Sequence, residues 1–453
     1  MAFIRSISGL RATVVDDLTP EIITKYCLAF SKMLPVGAVV IGNDSRPTGK
    51  WIEKVAAEAI ASTGRDVRLL GVVPTPTVQL MTEHSDAAGG IAITASHNPS
   101  EWNGLKFINS SGIFLDAEKN KTLWDIVDNN GYKSISNACG TINYIDNAIS
   151  EHIKRILNIP LFNDENLKYI VNKHFKVVVD AVNASGSKAI PTLLRNFGCE
   201  VIELYCEGNG EFPHVPEPLA VNLDALSERT KSESADFGLA VDPDADRLVL
   251  VDNKGEVLSE EYTVAIASLV ALNNISYFTN YAKCTVINHS SSMITDYVAK
   301  VSRAEVHRSA VGEINVVKKM KETNAVIGGE GSGGVILPAC HYGRDSLVGT
   351  ALTLYFLSNH CTKLTELYNY FPKYKMIKLK KVFNGSLTNI IDRVLSAFPD
   401  ADIIREDGIK VVYSDSWIQL RASNTEPIIR IIAESTREED AQPLIARILS
   451  LID

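Results

Sequence analysis

The sequence predicts an α/β fold, because short apolar runs typical of buried strands alternate with segments of helical periodicity. The alternation recurs in three stretches, which begin at AVVIGND, KVVVDAV and KCTVINHS. A chain of 453 residues is also too long for one ordinary core, which indicates three or four domains. We therefore expect a loose threefold repetition of one α/β unit, followed by a C-terminal unit of a different kind.

The elements of each unit follow from the same pattern. In the first unit we predict strands at 38–44, 67–73 and 91–96 and a helix at 51–63. In the second we predict strands at 176–182 and 200–205 and a helix near Ser187–Asn196, followed by the run GLAVDPDADRLVLVD at 238–252. In the third we predict strands at 283–290 and 325–330 and a helix near Met293–Val301. The tail has short strands at 375–382, 410–415, 417–423 and 426–435 and a helix near Leu387–Ala397, which indicates a smaller α+β domain. The predicted domain limits are 1–135, 136–254, 255–368 and 369–453.

Composition excludes several classes of protein. Hydrophobic content of 45% and charged content of 22% are typical of a globular protein in water. The longest apolar stretch, Val264–Leu272, is shorter than the ~20 residues of a membrane-spanning helix, and the N-terminus lacks a signal-peptide pattern. The seven cysteines are dispersed without a CxxC pair, so we expect reduced thiols, a cytoplasmic location and no zinc cluster. A net charge of −9 argues against nucleic-acid binding but allows a small anion to bind in a locally basic cleft.

Ser96 is the first candidate reactive residue. It follows the apolar run GGIAIT and should therefore lie in a loop at the carboxyl end of a strand, where open α/β sheets bind ligands. His97, Asn98 and Pro99 would turn the backbone sharply and leave the serine hydroxyl free, although a plain turn has the same composition. The segment has no G-x-S-x-G pattern, so it does not support a hydrolase nucleophile elbow.

Asp242, Asp244 and Asp246 alternate directly after the apolar run GLAV. Three carboxylates so close together repel one another unless a cation neutralises them, and hard oxygen ligands suit Mg²⁺. An EF-hand is disfavoured, because Arg247 stands where that loop requires glycine. The alternative is a solvated acidic turn. Arg247 would pair with a carboxylate or with a phosphate.

Two later loops carry groups that suit a sugar phosphate. In GGEGSGGVILP the glycines allow close approach of a ligand, and Glu330 and Ser332 can hydrogen-bond sugar hydroxyls. This loop is neither a Rossmann fingerprint nor a P-loop, and a plain turn is the alternative. The segment RASNTEPIIRI offers many donors and few acceptors, as a phosphate dianion requires, unless it is a helix cap with incidental arginines. Its candidate phosphate ligands are Arg421, Ser423, Asn424, Thr425 and Arg430.

Four basic residues earlier in the chain are further candidates for anion binding. Arg5, Arg11 and Arg46 occur beside turn-forming or glycine-containing segments, and Lys106 follows Ser96 by ten residues. Each one taken alone is more often a solvated surface charge. Their repeated position near loops favours a role in the site.

Together, the loops TASHNP, DPDADR, GEGSGG and RASNTEP resemble those of the α-D-phosphohexomutase family in order and spacing, and the resemblance covers essentially the whole chain. It implies four domains around a central cleft, namely three similar α/β mixed-sheet domains and a smaller C-terminal α+β domain. It also implies an enzyme that interconverts hexose 6-phosphate and hexose 1-phosphate through a phosphoserine and a 1,6-bisphosphate. The expected partner is a small sugar phosphate, and the expected assembly is a monomer or a homodimer.

The resemblance further implies a role for each candidate residue. The phosphate on Ser96 would hold Mg²⁺ together with Asp242, Asp244 and Asp246. Lys106 would transfer protons, with Arg11 and His97 beside it. The residues expected to bind substrate are Arg247, Glu330, Ser332, Arg421, Ser423, Asn424, Thr425 and Arg430.

Two positions depart from the family pattern. Ala12 follows Arg11 where the family usually has glycine, and Gly334 stands where many members carry histidine. The forms GGEGSGG and FPHVPEP, the latter at Phe212–Pro218, look more like the phosphoglucosamine and archaeal-type phosphomannomutase branches. Glucosamine phosphate is therefore the expected substrate, with mannose and glucose phosphates as alternatives. A magnesium-dependent phosphatase and a noncatalytic sugar-phosphate sensor also remain open.

Overall fold

The computed structural model describes residues 3–14, 16–132, 138–360, 363–383, 385, 387, 390–422 and 428–452. These residues form four β-sheets, three with mixed strand directions and one that is antiparallel throughout. Helices accompany every sheet. The predicted α/β class, with three mixed-sheet units and an α+β tail, is therefore confirmed.

The first sheet has seven strands, β1 (Phe3–Ser6), β2 (Gly9–Thr13), β3 (Ala38–Asn43), β4 (Val67–Val72), β5 (Ala87–Ile93), β6 (Trp102–Asn109) and β7 (Ile142–Tyr144). Their spatial order is β1-β2-β6-β5-β3-β4-β7. The helices of this part of the chain are α1 (Pro20–Met33), α2 (Gly49–Ala61), α3 (Thr75–Glu83), α4 (Ala117–Asp128) and α5 (Ala148–Leu157). Because β7 pairs with β4, the first sheet extends beyond residue 135.

The second sheet is built from β8 (Lys176–Asp180), β9 (Glu200–Leu204), β10 (Phe237–Val241) and β11 (Leu248–Val251), with α6 (Asp164–Val171), α7 (Gly186–Asn196) and α8 (Asp224–Ser232). The third is built from β12 (Ala282–Asn288), β13 (Glu305–Ser309), β14 (Ala325–Glu330) and β15 (Gly334–Ile336). Its helices are α9 (Glu261–Asn273), α10 (Ile294–Val301), α11 (Glu313–Thr323) and α12 (Ser346–Asn359).

The three units repeat one strand arrangement. The spatial orders β6-β5-β3-β4, β11-β10-β8-β9 and β15-β14-β12-β13 are equivalent, with three parallel strands and one antiparallel strand next to them in each case. Helices connect the first parallel strand to the second and the second to the third, as parallel pairing requires. The predicted threefold repetition is thus present in the topology, although the sequences of the copies have diverged.

The repetition places three candidate segments at equivalent positions. In each unit a loop joins the third parallel strand to its antiparallel neighbour, and these loops contain Ser96, the aspartate triplet and Ser332 respectively. Each loop includes one residue with a left-handed backbone: Ser96 at φ 52°, Ala245 at φ 50° and Gly333 at φ 90°. Since carboxyl ends of parallel strands bind ligands, the fold presents all three loops for use in a site.

The fourth sheet contains β16 (Lys375–Val382), β17 (Asp402–Ile404), β18 (Ile409–Val412), β19 (Ser416–Ala422) and β20 (Ile428–Ser435), in the order β16-β20-β19-β18-β17. It is accompanied by α13 (Ile391–Ala397) and α14 (Glu438–Ile452). Its apolar core, which includes Ile418 and Ile445, is separate from the core that joins the three α/β units. The tail is therefore a domain with its own core.

The longest apolar stretch of the sequence, Val264–Leu272, lies within α9. Every residue of this stretch is buried, which explains a helix that is apolar on all sides. Among the described residues, no helix combines the length and the apolar character needed to cross a membrane.

Candidate active site

Ser96 lies at the centre of a tight turn after β5. The Asn98 amide donates to the Ala95 carbonyl at 3.2 Å, and the Ser96 amide donates to Thr94 Oγ1 at 2.8 Å. The left-handed backbone of Ser96 costs a residue with a Cβ roughly 1–2 kcal/mol, so the surroundings must hold it in place. The turn directs the serine hydroxyl toward Asp242, whose Oδ2 accepts a hydrogen bond from Ser96 Oγ at 3.1 Å.

Arg46 holds the serine loop in place. Its Nη2 donates to the carbonyls of Ser96 and Asn98, at 2.6 and 2.7 Å, and its Nη1 donates to the carbonyls of Pro99 and Trp102. Its Nε donates to Asp44 at 3.0 Å, and the side chain is fully buried. These five contacts use the five donors of a guanidinium. Arg46 therefore has no donor left for a phosphate, and the expectation that it binds an anion is wrong.

Arg5 also lies away from the site. Its guanidinium makes a bidentate pair with Asp128 at 2.7 and 2.8 Å and donates to Tyr26 at 2.5 Å. These contacts join β1 to α1 and α4. The expectation that Arg5 contributes to anion binding is therefore wrong, and its role is structural.

The aspartate triplet lies beside the serine turn, fully buried. Asp242 Oδ1 accepts the amides of Asp246 and Arg247, each at 3.1 Å. Asp244 Oδ2 accepts from Thr75 Oγ1 at 2.9 Å and from Lys106 Nζ at 2.5 Å. The first unit thus supplies the serine, Thr75 and the lysine, and the second supplies the carboxylates.

Lys106, Arg247 and Arg344 contact the carboxylates of the triplet, yet these contacts leave some of the carboxylate oxygens without a hydrogen bond. Burial, together with the neighbouring carboxylates Asp246 and Asp244, holds the pKa of Asp242 well above its ordinary value. Burial also opposes ionisation of Asp244, but Lys106 and Thr75 outweigh it and hold the Asp244 pKa below its ordinary value. Asp244 Oδ1 and Asp246 Oδ1 are buried without a hydrogen-bond partner. One oxygen from each aspartate lies within 4.8 Å of the others, so the triplet fits a hard divalent cation.

His97 and Arg11 lie next to Ser96. His97 Nδ1 is 3.4 Å from Ser96 Oγ, and Arg11 Nη1 donates to Asn98 Oδ1 at 3.2 Å. The charge of Arg247, with burial and the charge of Arg11, lowers the pKa of His97 to about 2. The imidazole is therefore neutral near pH 7. Because the serine donates its only proton to Asp242, a neutral His97 with its proton on Nδ1 would donate to Ser96 Oγ.

Arg344 connects the aspartate triplet to the sugar loop. Its Nη2 donates to Asp246 Oδ2 at 2.5 Å and its Nη1 donates to Glu330 Oε2 at 2.9 Å, while its Nε contacts Glu313 at 3.2 Å. A Cβ at Gly334 would lie 2.3 Å from Arg344 Cδ. Glycine at position 334, where many family members carry histidine, therefore leaves space for the Arg344 side chain.

A cavity of about 470 Å³ lies between the three α/β units and the C-terminal domain. It brings together His97, Arg247, Glu330, Ser332, Arg421 and Arg430, all of which were candidates from sequence. Of the described residues, six lysines and arginines and four glutamates line it. This volume and balance of charge suit a small anion with hydrogen-bonding groups.

Three cations form a row across the C-terminal sheet on the wall of this cavity. Arg430 on β20 lies opposite Arg421 on β19 and opposite Lys380 on β16. Arg421 Nε is held by Asp407 Oδ1 at 3.0 Å. Like charges directly opposite one another on a sheet are unfavourable without a counterion. The row thus provides a binding surface for an anion.

Several functional groups could not be identified from sequence. Arg344, Lys378 and Lys380 line the cavity, yet they occur outside the four loops that were selected. The alternation of Lys378 and Lys380 along a strand was a visible signal, since it puts both on one face. Arg344 had no comparable signal. Ser423, Asn424 and Thr425, which were predicted to bind phosphate, lie outside the described residues.

Comparison with sequence families gives four matches that follow one another along the chain. They are described as phosphoglucomutase/phosphomannomutase alpha/beta/alpha domains I, II and III and C-terminal domain, and match residues 4–134, 150–255, 261–374 and 378–451. Together they account for most of the chain.

Among similar proteins is a Thermococcus kodakarensis protein named phosphoglucomutase/phosphomannomutase, which is 34% identical over 98% of this chain and 97% of its own length. A Sulfurisphaera tokodaii protein named phosphoglucosamine/phosphogalactosamine mutase is 29% identical over 98% of both chains. Both comparisons extend along nearly the full length of each protein.

Two solved structures have a similar fold. A phosphoglucomutase/phosphomannomutase family protein from Burkholderia thailandensis superposes with a TM-score of 0.86 at 23% identity, covering 99% of this chain and 96% of the other. Aspergillus fumigatus N-acetylphosphoglucosamine mutase, solved with GlcNAc-6P and magnesium, gives a TM-score of 0.59 at 13% identity, covering 100% and 96%. At these identities the likeness concerns the fold.

Proposed function

Because the chain belongs to the phosphoglucomutase/phosphomannomutase family, we propose that it is a phosphohexomutase that interconverts glucosamine 6-phosphate and glucosamine 1-phosphate. The observation that carries the proposal is the contact between Ser96 Oγ and Asp242 Oδ2, at 3.1 Å, beside Lys106 and two carboxylate oxygens that have no hydrogen-bond partner. A serine that carries a phosphate at this position would present it to a cation held by the triplet. Mannose and glucose phosphates are the alternative substrates.

In this proposal Ser96 carries the phosphoryl group between turnovers, and Asp242, Asp244 and Asp246 hold Mg²⁺. Bound Mg²⁺ would neutralise charge on the transferring phosphoryl group. The Aspergillus enzyme was solved in complex with magnesium, which supports this choice of ion. The chemistry of the donors supports it too, since all are hard carboxylate oxygens in a buried cluster.

The transfer itself requires positioning and proton management. A sugar hydroxyl forms a new bond to phosphorus as the bond from phosphorus to Ser96 Oγ breaks, and the hydroxyl proton ends on the serine oxygen. Lys106, whose Nζ contacts Asp244 at 2.5 Å, is the residue proposed to move that proton. His97 stays neutral, and its Nδ1 lies 3.4 Å from Ser96 Oγ. Arg11 holds the loop through Asn98.

The second half of the cycle returns a phosphoryl group to Ser96. The product of the first transfer is a hexose 1,6-bisphosphate, which must turn so that its other phosphate faces the serine. The cation row formed by Lys380, Arg430 and Arg421 would hold whichever phosphate is not reacting. We propose that Arg247, Glu330 and Ser332 contact the sugar or its phosphate in both orientations, together with Ser423, Asn424 and Thr425.

The preference for an amino sugar rests on the names of several relatives, which are phosphoglucosamine mutases or probable phosphoglucosamine mutases, and on the sequence forms of two loops. The Thermococcus relative described above has the phosphoglucomutase/phosphomannomutase name, so the assay must compare sugars directly. The four glutamates of the cavity do not decide between the sugars, because Glu330, Glu217 and Glu260 pair with Arg344, Arg247 and Lys378. Burial raises the pKa of the fourth, Glu261, to about 8. The hydroxyl-binding groups are shared by all three sugars.

Of the proposed domains 1–135, 136–254, 255–368 and 369–453, the limits near 254 and 368 are supported by the separate sheets and by the matched segments. The first limit is supported by the matched segment 4–134, whereas strand β7 at 142–144 still belongs to the first sheet. A cytoplasmic location is supported by the free state of the cysteines that the structure describes. A monomer or homodimer is proposed for the assembly.

The test is a phosphorus-NMR assay with Mg²⁺ and a trace of the matching 1,6-bisphosphate. It compares glucosamine, mannose and glucose 6-phosphates. We expect conversion to the 1-phosphate, with the highest kcat/KM for glucosamine. Release of inorganic phosphate without isomerisation would instead establish a phosphatase, and no reaction with any of the three sugars would contradict the proposed substrate class.

A further inference from the structure

A second group of potential metal ligands lies outside the cavity. It consists of His152, Cys340, His341 and Asp345, and one ligand atom from each lies within 4.8 Å of all the others. His152 and Asp345 are completely buried, and Cys340 and His341 are each 1% exposed. His152 comes from α5, whereas the other three come from the segment that leads into α12. This separation along the chain conceals the cluster in the sequence.

The side chains converge on one carboxylate oxygen. Asp345 Oδ2 is 2.8 Å from His152 Nε2 and 3.1 Å from His341 Nε2. Residues outside the cluster contact the second polar atom of two of these side chains. His152 Nδ1 is 2.9 Å from Thr77 Oγ1, and Asp345 Oδ1 accepts the Leu347 amide at 2.8 Å. Such outer contacts orient metal-binding histidines and carboxylates in known sites.

Hydrogen bonding among these residues leaves one group unsatisfied. If each Nε2 carries a proton to share with Asp345, His341 Nδ1 is left with a buried lone pair, and the structure shows no hydrogen-bond partner for it. The Cys340 thiol belongs to the same buried group, with its sulfur within 4.8 Å of a ligand atom of each of the other three residues. A cation bound by the free ring nitrogen of His341 would satisfy this lone pair, and a thiolate is a ligand for such a cation.

We propose that His152, Cys340, His341 and Asp345 form a structural site for zinc, or for a transition ion of similar preference. Two imidazoles, one thiolate and one carboxylate are ligands that zinc binds in four-coordinate structural sites. Magnesium, by contrast, prefers oxygen ligands alone, so the aspartate triplet and this cluster select different ions. The expectation from sequence that the chain has no zinc cluster rested on cysteine spacing, which does not detect a site with a single cysteine.

The position of the cluster gives the ion a specific effect on the active site. Arg344 directly precedes Asp345 and reaches Asp246 and Glu330 from the same segment. Gly343, between His341 and Arg344, has no room for a side chain, since a Cβ would lie 2.4 Å from Gln79 Oε1. A bound ion would tie this segment to α5 and would thereby hold Arg344 in place.

The experiment uses the full chain, stripped of metal with a chelator and then returned to buffer with excess Mg²⁺ to occupy oxygen-ligand sites. Co²⁺ is the probe, because a thiolate ligand produces a charge-transfer absorption band that carboxylates cannot. We expect one equivalent of Co²⁺ to bind with this band, and Zn²⁺ to displace it and raise Tm. Cys340→Ser should abolish the charge-transfer band, and His152→Gln should weaken Co²⁺ binding at least tenfold. Cys199 is a buried cysteine elsewhere in the chain, so Cys199→Ser should change neither the band nor the affinity.

Two results would overturn the proposal. One is a wild-type chain that binds no Co²⁺ or Zn²⁺ under these conditions. The other is a Cys340→Ser chain with the same spectrum and stoichiometry as the wild type. Because serine is nearly the size of cysteine, Cys340→Ser should fold even if His152→Gln does not, and its Tm without metal checks this. The readouts do not depend on mutase activity, so failure of this proposal and failure of the proposed function are separate outcomes.

Discussion

Arg421 and Arg430 lie directly opposite one another on β19 and β20, and both face the cavity. Lys380 extends the row on the other side of Arg430. Asp407 Oδ1 pairs with Arg421, but its other oxygen accepts the Val311 amide, so it does not neutralise the whole row. A cross-strand pair of like charges is unfavourable for folding. Its presence here is understandable if the row binds a phosphate.

This relationship predicts opposite effects of one substitution on binding and on stability. Arg430→Gln should raise KM for the sugar phosphate by roughly 10- to 100-fold, because a charge-assisted contact to phosphate is lost. The same change should leave Tm unchanged or raise it slightly, because repulsion within the row is relieved. Steady-state kinetics and thermal unfolding measure the two effects. Lys375→Gln, an exposed change on β16, is the control and should alter neither. A fall in Tm without a change in KM would assign Arg430 a structural role.

The contacts of Arg46 lead to a different prediction, since all five of its hydrogen-bond donors are used within the protein. Arg46→Lys should lower kcat by roughly 10- to 100-fold through displacement of the serine turn, with little change in KM. It should also lower Tm, because buried carbonyls and Asp44 lose their partner.

The control for this prediction is Arg65→Lys. Arg65 also donates to several backbone carbonyls, among them those of Ser31 and Leu34, but it lies outside the cavity lining and the serine turn. That variant should lose stability and keep its kcat. If Arg46→Lys raised KM and kept kcat, Arg46 would be a phosphate ligand after all.

Loss of the serine or of one carboxylate should abolish the reaction while the fold persists. Ser96→Ala and Asp244→Ala should each lower mutase turnover by about 10³-fold or more, as expected when a nucleophile or a metal ligand is removed. Tm of Ser96→Ala should stay within a few degrees of the wild type, since the hydroxyl donates only one hydrogen bond. Radiolabel transfer from a 1,6-bisphosphate to the protein should disappear in Ser96→Ala. Wild-type turnover in this variant would eliminate the phosphoserine mechanism.

The sequence contained enough information to predict much of this arrangement. Ser96 and the triplet were recognisable because each reactive group follows an apolar strand within a few residues, and the threefold repetition brings those strand ends together. Arg344 was not recognisable, because its role depends on contacts with Asp246 and Glu330 that form only in the folded chain. Arg46 was recognised as important but for the wrong reason. A basic residue beside a glycine-containing loop looks the same in sequence whether it binds a ligand or the loop.

The pairing of Gly334 with Arg344 predicts non-additive effects. Gly334→Ala should lower kcat/KM by about tenfold, because its Cβ would lie 2.3 Å from Arg344 Cδ and would displace the guanidinium from Asp246 and Glu330. Arg344→Ala alone should be at least as damaging. In the double variant the two losses should not add, because the arginine that the alanine displaces is already absent. Gly131→Ala, where a Cβ would meet nothing closer than 3.4 Å, is the control. Fully additive losses would show that Gly334 acts independently of Arg344.

The buried carboxyl group of Glu261 leads to a prediction about the pH dependence of stability. Burial raises its pKa to about 8, against the attraction of Lys378, and its Oε2 accepts the Ser292 amide at 2.9 Å. The folded chain therefore holds this proton more tightly than the unfolded chain. The stabilisation that this bound proton gives the folded chain is complete below the pKa of Glu261 in the unfolded chain, near 4.5. It is lost as the pH rises toward 8. Glu261→Gln replaces the protonated acid with a neutral group of similar shape and should remove that loss.

The Tm of Glu261→Gln should therefore approach the wild-type value at pH 5 and exceed it by several degrees at pH 8, in line with a pKa shift that corresponds to a few kcal/mol. Scanning calorimetry at intervals of half a pH unit measures the difference. Glu256→Gln, an exposed change on the loop before α9, should shift Tm equally little at every pH. If the difference between Glu261→Gln and the wild type were the same at pH 5 and pH 8, Glu261 would be ionised in the folded chain. Lys378, with its Nζ 3.9 Å from Glu261 Oε1, would then be its counterion.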